Sequence, residues 1–162
     1  MSAPSFDQLL ARLVQADIRF VVIGGLALGS WGVIRGTKDC DIVPDPAPEN
    51  LNRLARLVVK LGGHVQLGES LLGSERSIAA TLRGGERVLI AMQLGDLDVV
   101  QGLDGVLPYA ELRASAIDVE LAGVTIPICA LEHLRTMKRA AGRPRDLVDL
   151  DDLDAAQPPP PD

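Results

Sequence analysis

Three aspartates in β-branched segments are the residues best suited to chemistry. Asp39 and Asp41 lie two residues apart, and Asp98 stands in a second apolar segment. Residues two apart on a strand point to the same face, so the first pair stands side by side while Cys40 faces the opposite, apolar side. Unpaired carboxylates this close repel each other and raise each other's pKa unless a cation intervenes. The spacing therefore predicts a site for a cation.

The third acid lies in the predicted strand around residues 96–100. Leu97 and Val99 would face the core, whereas Asp96, Asp98 and Val100 share the other face. A carboxylate inside a valine-rich strand conflicts with both strand propensity and burial, and such conflicts mark functional sites. Whether Asp96 or Asp98 completes the site is left open by the sequence.

A pair of glycines precedes the aspartates. Gly24 and Gly25 follow the β-branched run 20–23 and open a short helix of small residues that ends near Ser30. Glycines let backbone N–H groups approach a phosphate without obstruction by a Cβ atom. Carboxylates together with a phosphate-sized turn predict a site for Mg²⁺ and a nucleotide.

The order of these motifs is similar to that of a known family. Gly24-Gly25, followed by Arg35-x-Thr37-x-Asp39-x-Asp41, resembles the signature of the polymerase-β-like nucleotidyltransferases, in particular the branch with the AbiEii-type toxins. The run from Lys138 to Leu150 also resembles the ending of that branch, so the similarity spans residues 15–153. Many relatives carry a serine directly after the first glycine. Gly25 stands there instead, and Ser30 or Thr37 could supply the hydroxyl.

The resemblance implies a fold and a domain division. The expected fold is α/β (α+β), a small mixed β-sheet with helices packed mainly on one face. Residues 1–155 would form the nucleotidyltransferase domain, and residues 156–162 a disordered proline-rich tail.

The resemblance also implies roles for individual residues. Asp39 and Asp41 match the metal-binding pair, and Asp98 matches the acid near the attacking hydroxyl. Together they would hold two Mg²⁺ ions roughly 4 Å apart. Candidate nucleotide-binding residues are Gly24, Gly25, Ser30, Arg35, Thr37, Lys138 and Arg143.

The implied reaction moves NMP from an NTP to a hydroxyl and releases pyrophosphate. The resemblance points to the toxin of a toxin–antitoxin or phage-defence system, with RNA (a tRNA end) or protein as acceptor and a cognate antitoxin as partner. Two alternatives stay open. One is a small-molecule, antibiotic-type nucleotidyltransferase, and the other is a catalytically silent binding module that acts as an antitoxin partner.

Composition restricts the other possibilities. The 162 residues carry a formal net charge of −6 and only four aromatic side chains, which argues against a basic or base-stacking nucleic-acid module. The two cysteines are expected to be small buried hydrophobes in a reducing compartment. The apolar run 20–34 is shorter than the ~20 residues of a membrane span. We therefore expect a cytoplasmic protein without a membrane partner.

Apolar periodicity and turn residues predict the remaining elements. Ser5-x-x-Gln8 is typical of a capping box that opens a first helix, and a further helix follows Pro48. Strands are expected at 64–67 and 86–92, with Gly84-Gly85 as the turn between neighbours; residues 68–80 show no clear pattern. A helix over 109–116, a hairpin over 117–128 and helices from Leu131 and Pro144 complete the chain.

Basic residues crowd the junction of the last two helices. They are Arg135, Lys138, Arg139, Arg143 and Arg145, and a run of aspartates follows them. The cluster is either a solvated face with local salt bridges or a surface that meets a polyphosphate.

Overall fold

The computed structural model describes residues 4–158 and residue 161, which contain seven helices and eight strands. The helices are α1 (Phe6–Gln15), α2 (Gly24–Ser30), α3 (Pro48–Lys60), α4 (Glu75–Arg83), α5 (Tyr109–Ser115), α6 (Leu131–Ala141) and α7 (Pro144–Ala156). The strands are β1 (Phe20–Ile23), β2 (Asp39–Pro44), β3 (His64–Leu67), β4 (Ser70–Leu72), β5 (Val88–Ala91), β6 (Asp96–Val99), β7 (Ile117–Leu121) and β8 (Val124–Ile128).

All eight strands form one mixed sheet in the order β4-β3-β5-β6-β2-β1-β8-β7. Strand β2 runs parallel to β6 and antiparallel to β1, and β1 runs parallel to β8; the other neighbours are antiparallel. The mixed α/β fold expected from the sequence is confirmed. The segments that carry the predicted acids, β2 and β6, lie side by side near the middle of the sheet.

Strand register divides the sheet into two chemically different faces. On one face the register partners are apolar and fully buried: Cys40 opposes Leu97, and Val22 opposes Ile42. On the other face Asp41 opposes Asp98 and Ile23. Because side chains alternate along a strand, the apolar residues fix β2 and β6 in the core and turn the acids toward the opposite side.

Two local predictions are wrong. Ser5 is the N-cap of α1, but its side chain makes no capping hydrogen bond, so the predicted capping box does not form. Gly84-Gly85 does not join neighbouring strands. The segment without clear periodicity contains β4, which pairs with β3, and then α4, whose N-cap Ser74 accepts a hydrogen bond from the N–H of Ser77 at 3.1 Å. The glycine pair instead ends α4 before β5.

Helix α7 packs differently from an ordinary amphipathic helix. It carries four leucine or valine residues, yet Leu147 and Val148 are exposed, whereas Asp146, Asp149 and Leu153 are buried. Its contact with the rest of the protein is therefore partly ionic.

The predicted proline-rich tail begins at the end of α7. The helix runs to Ala156, and the side-chain amide of Gln157 donates a hydrogen bond to the carbonyl oxygen of Trp31 at 3.1 Å. Pro159, Pro160 and Asp162 lie outside the described residues.

Both cysteines, Cys40 and Cys129, are free thiols with no exposed surface, as expected. Within residues 4–158, no helix combines the length and the apolar character that a membrane span requires.

Candidate active site

The three predicted acids meet at one point on the polar face of the sheet. Asp39 and Asp41 project from β2, and Asp98 projects from the parallel strand β6. Each can place a carboxylate oxygen within 4.8 Å of the oxygens of the other two. Asp98 is the third member of this group, whereas Asp96 opposes Asp39 in register but does not belong to it.

The shared location raises the pKa of the two carboxyl groups on β2. Burial, followed by the charge of Asp98 and a hydrogen bond with it, raises the pKa of Asp41 to about 7. Burial and the charges of Asp98 and Asp96 also raise the pKa of Asp39. A raised pKa means that the charged form lacks compensation. The group therefore offers the oxygen donors that suit a divalent cation, and the charge of Asp39 and Asp41 is not fully compensated.

The glycine pair leaves room for the side chains beside it. Gly24 has φ +69°, and a Cβ atom there would lie 2.0 Å from Oδ2 of Asp41. A Cβ atom on Gly25 would lie 2.8 Å from Oγ1 of Thr37, which donates a hydrogen bond to the carbonyl oxygen of Asp39 at 2.9 Å. The pair thus allows α2 to pack directly against the strand that carries the acids.

A cleft of about 490 Å³ opens over the acids. Its walls come from the start of α2, the loop before β2, the loop after β6, helix α6 and the start of α7. The predicted site residues that line it are Gly24, Gly25, Arg35, Thr37, Asp39, Asp41, Asp98, Lys138 and Arg143. Ser30 is not among them, because it lies exposed at the far end of α2.

All three predicted phosphate-binding cations form ion pairs, and two of them, Lys138 and Arg35, are buried or half-buried. The ammonium group of Lys138 is buried and lies 2.9 Å from a carboxylate oxygen of Asp149 and 3.2 Å from one of Asp146. Arg35 donates a hydrogen bond from Nη2 to Oδ2 of Asp149 at 2.9 Å. These contacts tie the loop before β2 to α6 and α7, so they build the cleft wall.

The ion pairs also affect Asp146. Burial alone would raise its pKa, but hydrogen bonds from Arg143 and Lys138 lower it to about 2. Arg143 donates from Nε at 2.7 Å and from its backbone N–H at 3.1 Å. Asp146 therefore remains ionised at neutral pH and fixes the start of α7.

Other cations at the cleft remain accessible to a ligand. The Arg143 side chain is 67% exposed despite its contact with Asp146. Lys38 and Arg145 line the cleft and are exposed. The structure thus shows local salt bridges at the basic junction, from Lys138 and Arg143, while Arg143 and Arg145 also line the cleft; a contact of the junction with polyphosphate stays a prediction.

Arg87 is a site residue that the sequence does not identify. It directly precedes β5, and its Nε donates to both carboxylate oxygens of Asp98, at 2.9 and 3.0 Å. In the sequence it is a lone arginine after a glycine pair. Only the antiparallel pairing of β5 with β6, which sets Leu89 opposite Asp98, brings it to the acids.

No protein-family profile matches this sequence, and no curated protein matches it either. Solved structures do resemble it. The lincosamide antibiotic adenylyltransferase LnuA, in its lincomycin-bound form, superposes with a TM-score of 0.64 at 13% sequence identity. The match covers 94% of this chain and 96% of LnuA.

The antibiotic-resistance factor ANT(2'')-Ia is also similar. Its solution structure gives a TM-score of 0.59 at 18% identity, over 93% of this chain and 81% of that one. Its crystal structure with adenylyl-2''-tobramycin gives 0.58 at 16% identity, over 93% and 86%. At this identity the likeness concerns the fold. The chain therefore has the polymerase-β-like nucleotidyltransferase fold that its motifs predict.

Proposed function

We propose that this protein is an Mg²⁺-dependent nucleotidyltransferase that moves NMP from an NTP to a hydroxyl group. The observation that carries the proposal is the convergence of Asp39, Asp41 and Asp98 at the floor of a cleft with cations on its walls. Two further observations support it. The motifs resemble those of nucleotidyltransferases, and the chain shares its fold with LnuA and ANT(2'')-Ia.

The residues present fit the proposed ion. Three carboxylates from two adjacent strands offer hard oxygen donors. Because Gly24 has no Cβ atom, the Asp41 side chain has room to lie beside the other two acids. Mg²⁺ held there would supply charge stabilisation for phosphoryl chemistry. The number of ions, two by resemblance, belongs to the proposal.

The reaction itself needs no covalent enzyme intermediate. The acceptor oxygen forms a bond to the α-phosphorus, the bond from that phosphorus to the bridging oxygen breaks, and pyrophosphate leaves with the electron pair. The hydroxyl proton passes to a carboxylate of the floor or to water. Lys38, Arg143 and Arg145 would meet the charge of the phosphates, and positioning accounts for most of the catalysis.

A small molecule is the acceptor that the observations favour. The structural neighbours are bound to lincomycin and to adenylyl-2''-tobramycin, which makes a small hydroxyl compound a reasonable first substrate class. The net charge of −6 offers little general attraction for RNA.

A toxin role with RNA or protein as acceptor, together with an antitoxin partner, is the second candidate. It rests on the likeness of the C-terminal run to the AbiEii branch. One structural feature favours it, since Lys138, Arg143 and Asp146 of that run line the cleft.

The test is transfer of label from each of the four α-³²P NTPs in the presence of Mg²⁺. Lincomycin, tobramycin and total cellular RNA are supplied separately, and protein labelling is followed on gels. We expect label on a small-molecule acceptor with the wild type, none with Asp39→Ala, and retained transfer with Asp96→Asn, the matched neighbouring acid. Label on RNA or protein would favour the toxin reading. If neither transfer nor binding of metal and nucleotide were detected, the proposed enzymatic activity would be refuted. The catalytically silent binding module would then be the remaining hypothesis.

A further inference from the structure

Arg87 occupies the coordinating atoms of one of the three acids. Its Nε donates to both oxygens of Asp98, and Nη2 donates to Oδ2 as well. A carboxylate offers about four acceptor positions, so three are already in use. Asp98 is buried, with its side chain only 3% exposed, so water can hardly replace Arg87 as a donor to it.

The arginine approaches Asp98 from β5, on the edge of β6 that faces away from β2, the strand that carries the other two acids. Asp98 has Asp41 as its register partner on β2 and Leu89 on β5. Arg87 precedes Leu89 by two residues and therefore projects from the same face of the sheet. Its side chain is 54% exposed, so it can turn toward solvent without leaving a cavity in the core.

We propose that Arg87 is a positioning residue that competes with the divalent cation for Asp98. In the metal-free protein the guanidinium holds the carboxylate among the acids. Asp98 becomes a full metal ligand only when Arg87 releases at least one of its oxygens. Asp39 and Asp41, which accept no hydrogen bond from Arg87, remain available throughout. The inference rests on the proposed metal site and adds a residue that limits its affinity.

The test measures Mn²⁺ binding to the nucleotide-free protein by electron paramagnetic resonance. We expect Arg87→Ala to bind Mn²⁺ at least about tenfold more tightly, because the competing charge-assisted hydrogen bonds are gone. Lys38→Ala is the matched control, since it removes the same charge beside Asp39 from an exposed residue. It should tighten binding by no more than about fivefold, as expected for an exposed charge.

A second variant separates contact from charge. Arg87→Lys keeps the positive charge but loses the planar fork that engages both oxygens, so we expect an affinity between those of the wild type and Arg87→Ala. If Arg87→Lys bound Mn²⁺ with the affinity of the wild type and only Arg87→Ala bound it more tightly, the positive charge alone would account for the effect. That result would overturn the proposal.

Thermal unfolding checks the fold of the variants. With EDTA, Arg87→Ala should unfold at a lower temperature than the wild type, because Asp98 is left buried without its partner. Saturating Mn²⁺ should raise its unfolding temperature by more than that of the wild type. Equal or weaker Mn²⁺ binding by Arg87→Ala would refute the competition. Failure of every form, wild type included, to bind Mn²⁺ would instead refute the metal site and the proposed function with it.

Discussion

At the scale of single residues, the site depends on two glycines that have no side chain as well as on the acids. Sequence reasoning interprets the glycine pair as a turn for phosphate. In the structure, Gly24 and Gly25 also leave space for Asp41 and Thr37. The same two residues therefore connect the proposed nucleotide-binding side of the cleft to the acids.

We expect Gly24→Ala to damage both the site and the fold. The new methyl group would overlap Oδ2 of Asp41, and the positive φ would cost alanine about 1–2 kcal/mol. Mn²⁺ affinity, measured by electron paramagnetic resonance, should fall along with the free energy of unfolding. Gly29→Ala is the control in the same helix, because nothing lies within 4 Å of its added Cβ atom. A Gly24→Ala protein with wild-type metal affinity would contradict this role.

The hydroxyl of Thr37 lies where a side chain at position 25 would extend. We expect Gly25→Ser alone to weaken NTP binding through overlap with Thr37, and Thr37→Ala alone to weaken it through loss of the hydroxyl. The double variant should bind better than the sum of the single losses predicts, with a coupling of about 0.5–3 kcal/mol. Calorimetric titration with NTP and Mg²⁺ measures all four proteins. Strictly additive losses would show that the two positions do not share one space.

At the scale of elements, the last two helices are joined by buried charges. Lys138 of α6 lies between Asp146 and Asp149 of α7, and Arg35 reaches Asp149 from the loop before β2. Removing one partner would leave an uncompensated buried charge, which is far more costly than the net worth of an intact pair. The network therefore fixes α7 against the cleft even though Leu147 and Val148 are exposed.

This network predicts a dependence of stability on pH. The pKa of folded Asp146 is about 2, below the ordinary value of 3.8, so its carboxylate stabilises the fold fully above about pH 4. That contribution, ~2 kcal/mol, is lost as the pH falls from about 4 to about 2. Urea unfolding should show the wild-type advantage over Asp146→Asn shrinking across this interval. Asp152→Asn, an exposed position of the same helix, should show no such change. A constant difference between wild type and Asp146→Asn would exclude the mechanism.

Local patterns in the sequence predict most of the elements but few of the contacts between them. Strands β2 and β6 and their outward acids follow from alternation, because the apolar partners Cys40 and Leu97 must be buried. Arg87 could not be found, since its role depends on how β5 pairs with β6. The buried face of α7 could not be predicted for a similar reason. Apolar periodicity identifies Leu153, but it cannot identify buried aspartates whose charge is balanced by cations from other elements.

At the scale of the whole molecule, charge is arranged around the cleft rather than balanced along the chain. The net charge is −6, and three of the carboxylates that contribute to it lie at the cleft floor, where they face any phosphate that enters. Lys138 and Arg35 are largely neutralised by Asp146 and Asp149, which leaves exposed cations at the rim. A triphosphate without a metal therefore meets net repulsion near the acids.

The thermal stability of the protein should accordingly respond to metal and nucleotide together. A non-hydrolysable NTP analogue with Mg²⁺ at about 100 times its Kd should stabilise the fold by ~2.7 kcal/mol. For a chain of this size, that free energy corresponds to a rise of about 5–10 °C in the unfolding temperature. The analogue with EDTA should give almost no rise, and Mg²⁺ alone only a small one, because each component leaves part of the charge in the cleft uncompensated. Asp39→Ala should abolish the combined effect, whereas Asp96→Asn should retain it. An equal rise with the analogue in EDTA would mean that the nucleotide binds away from the acids.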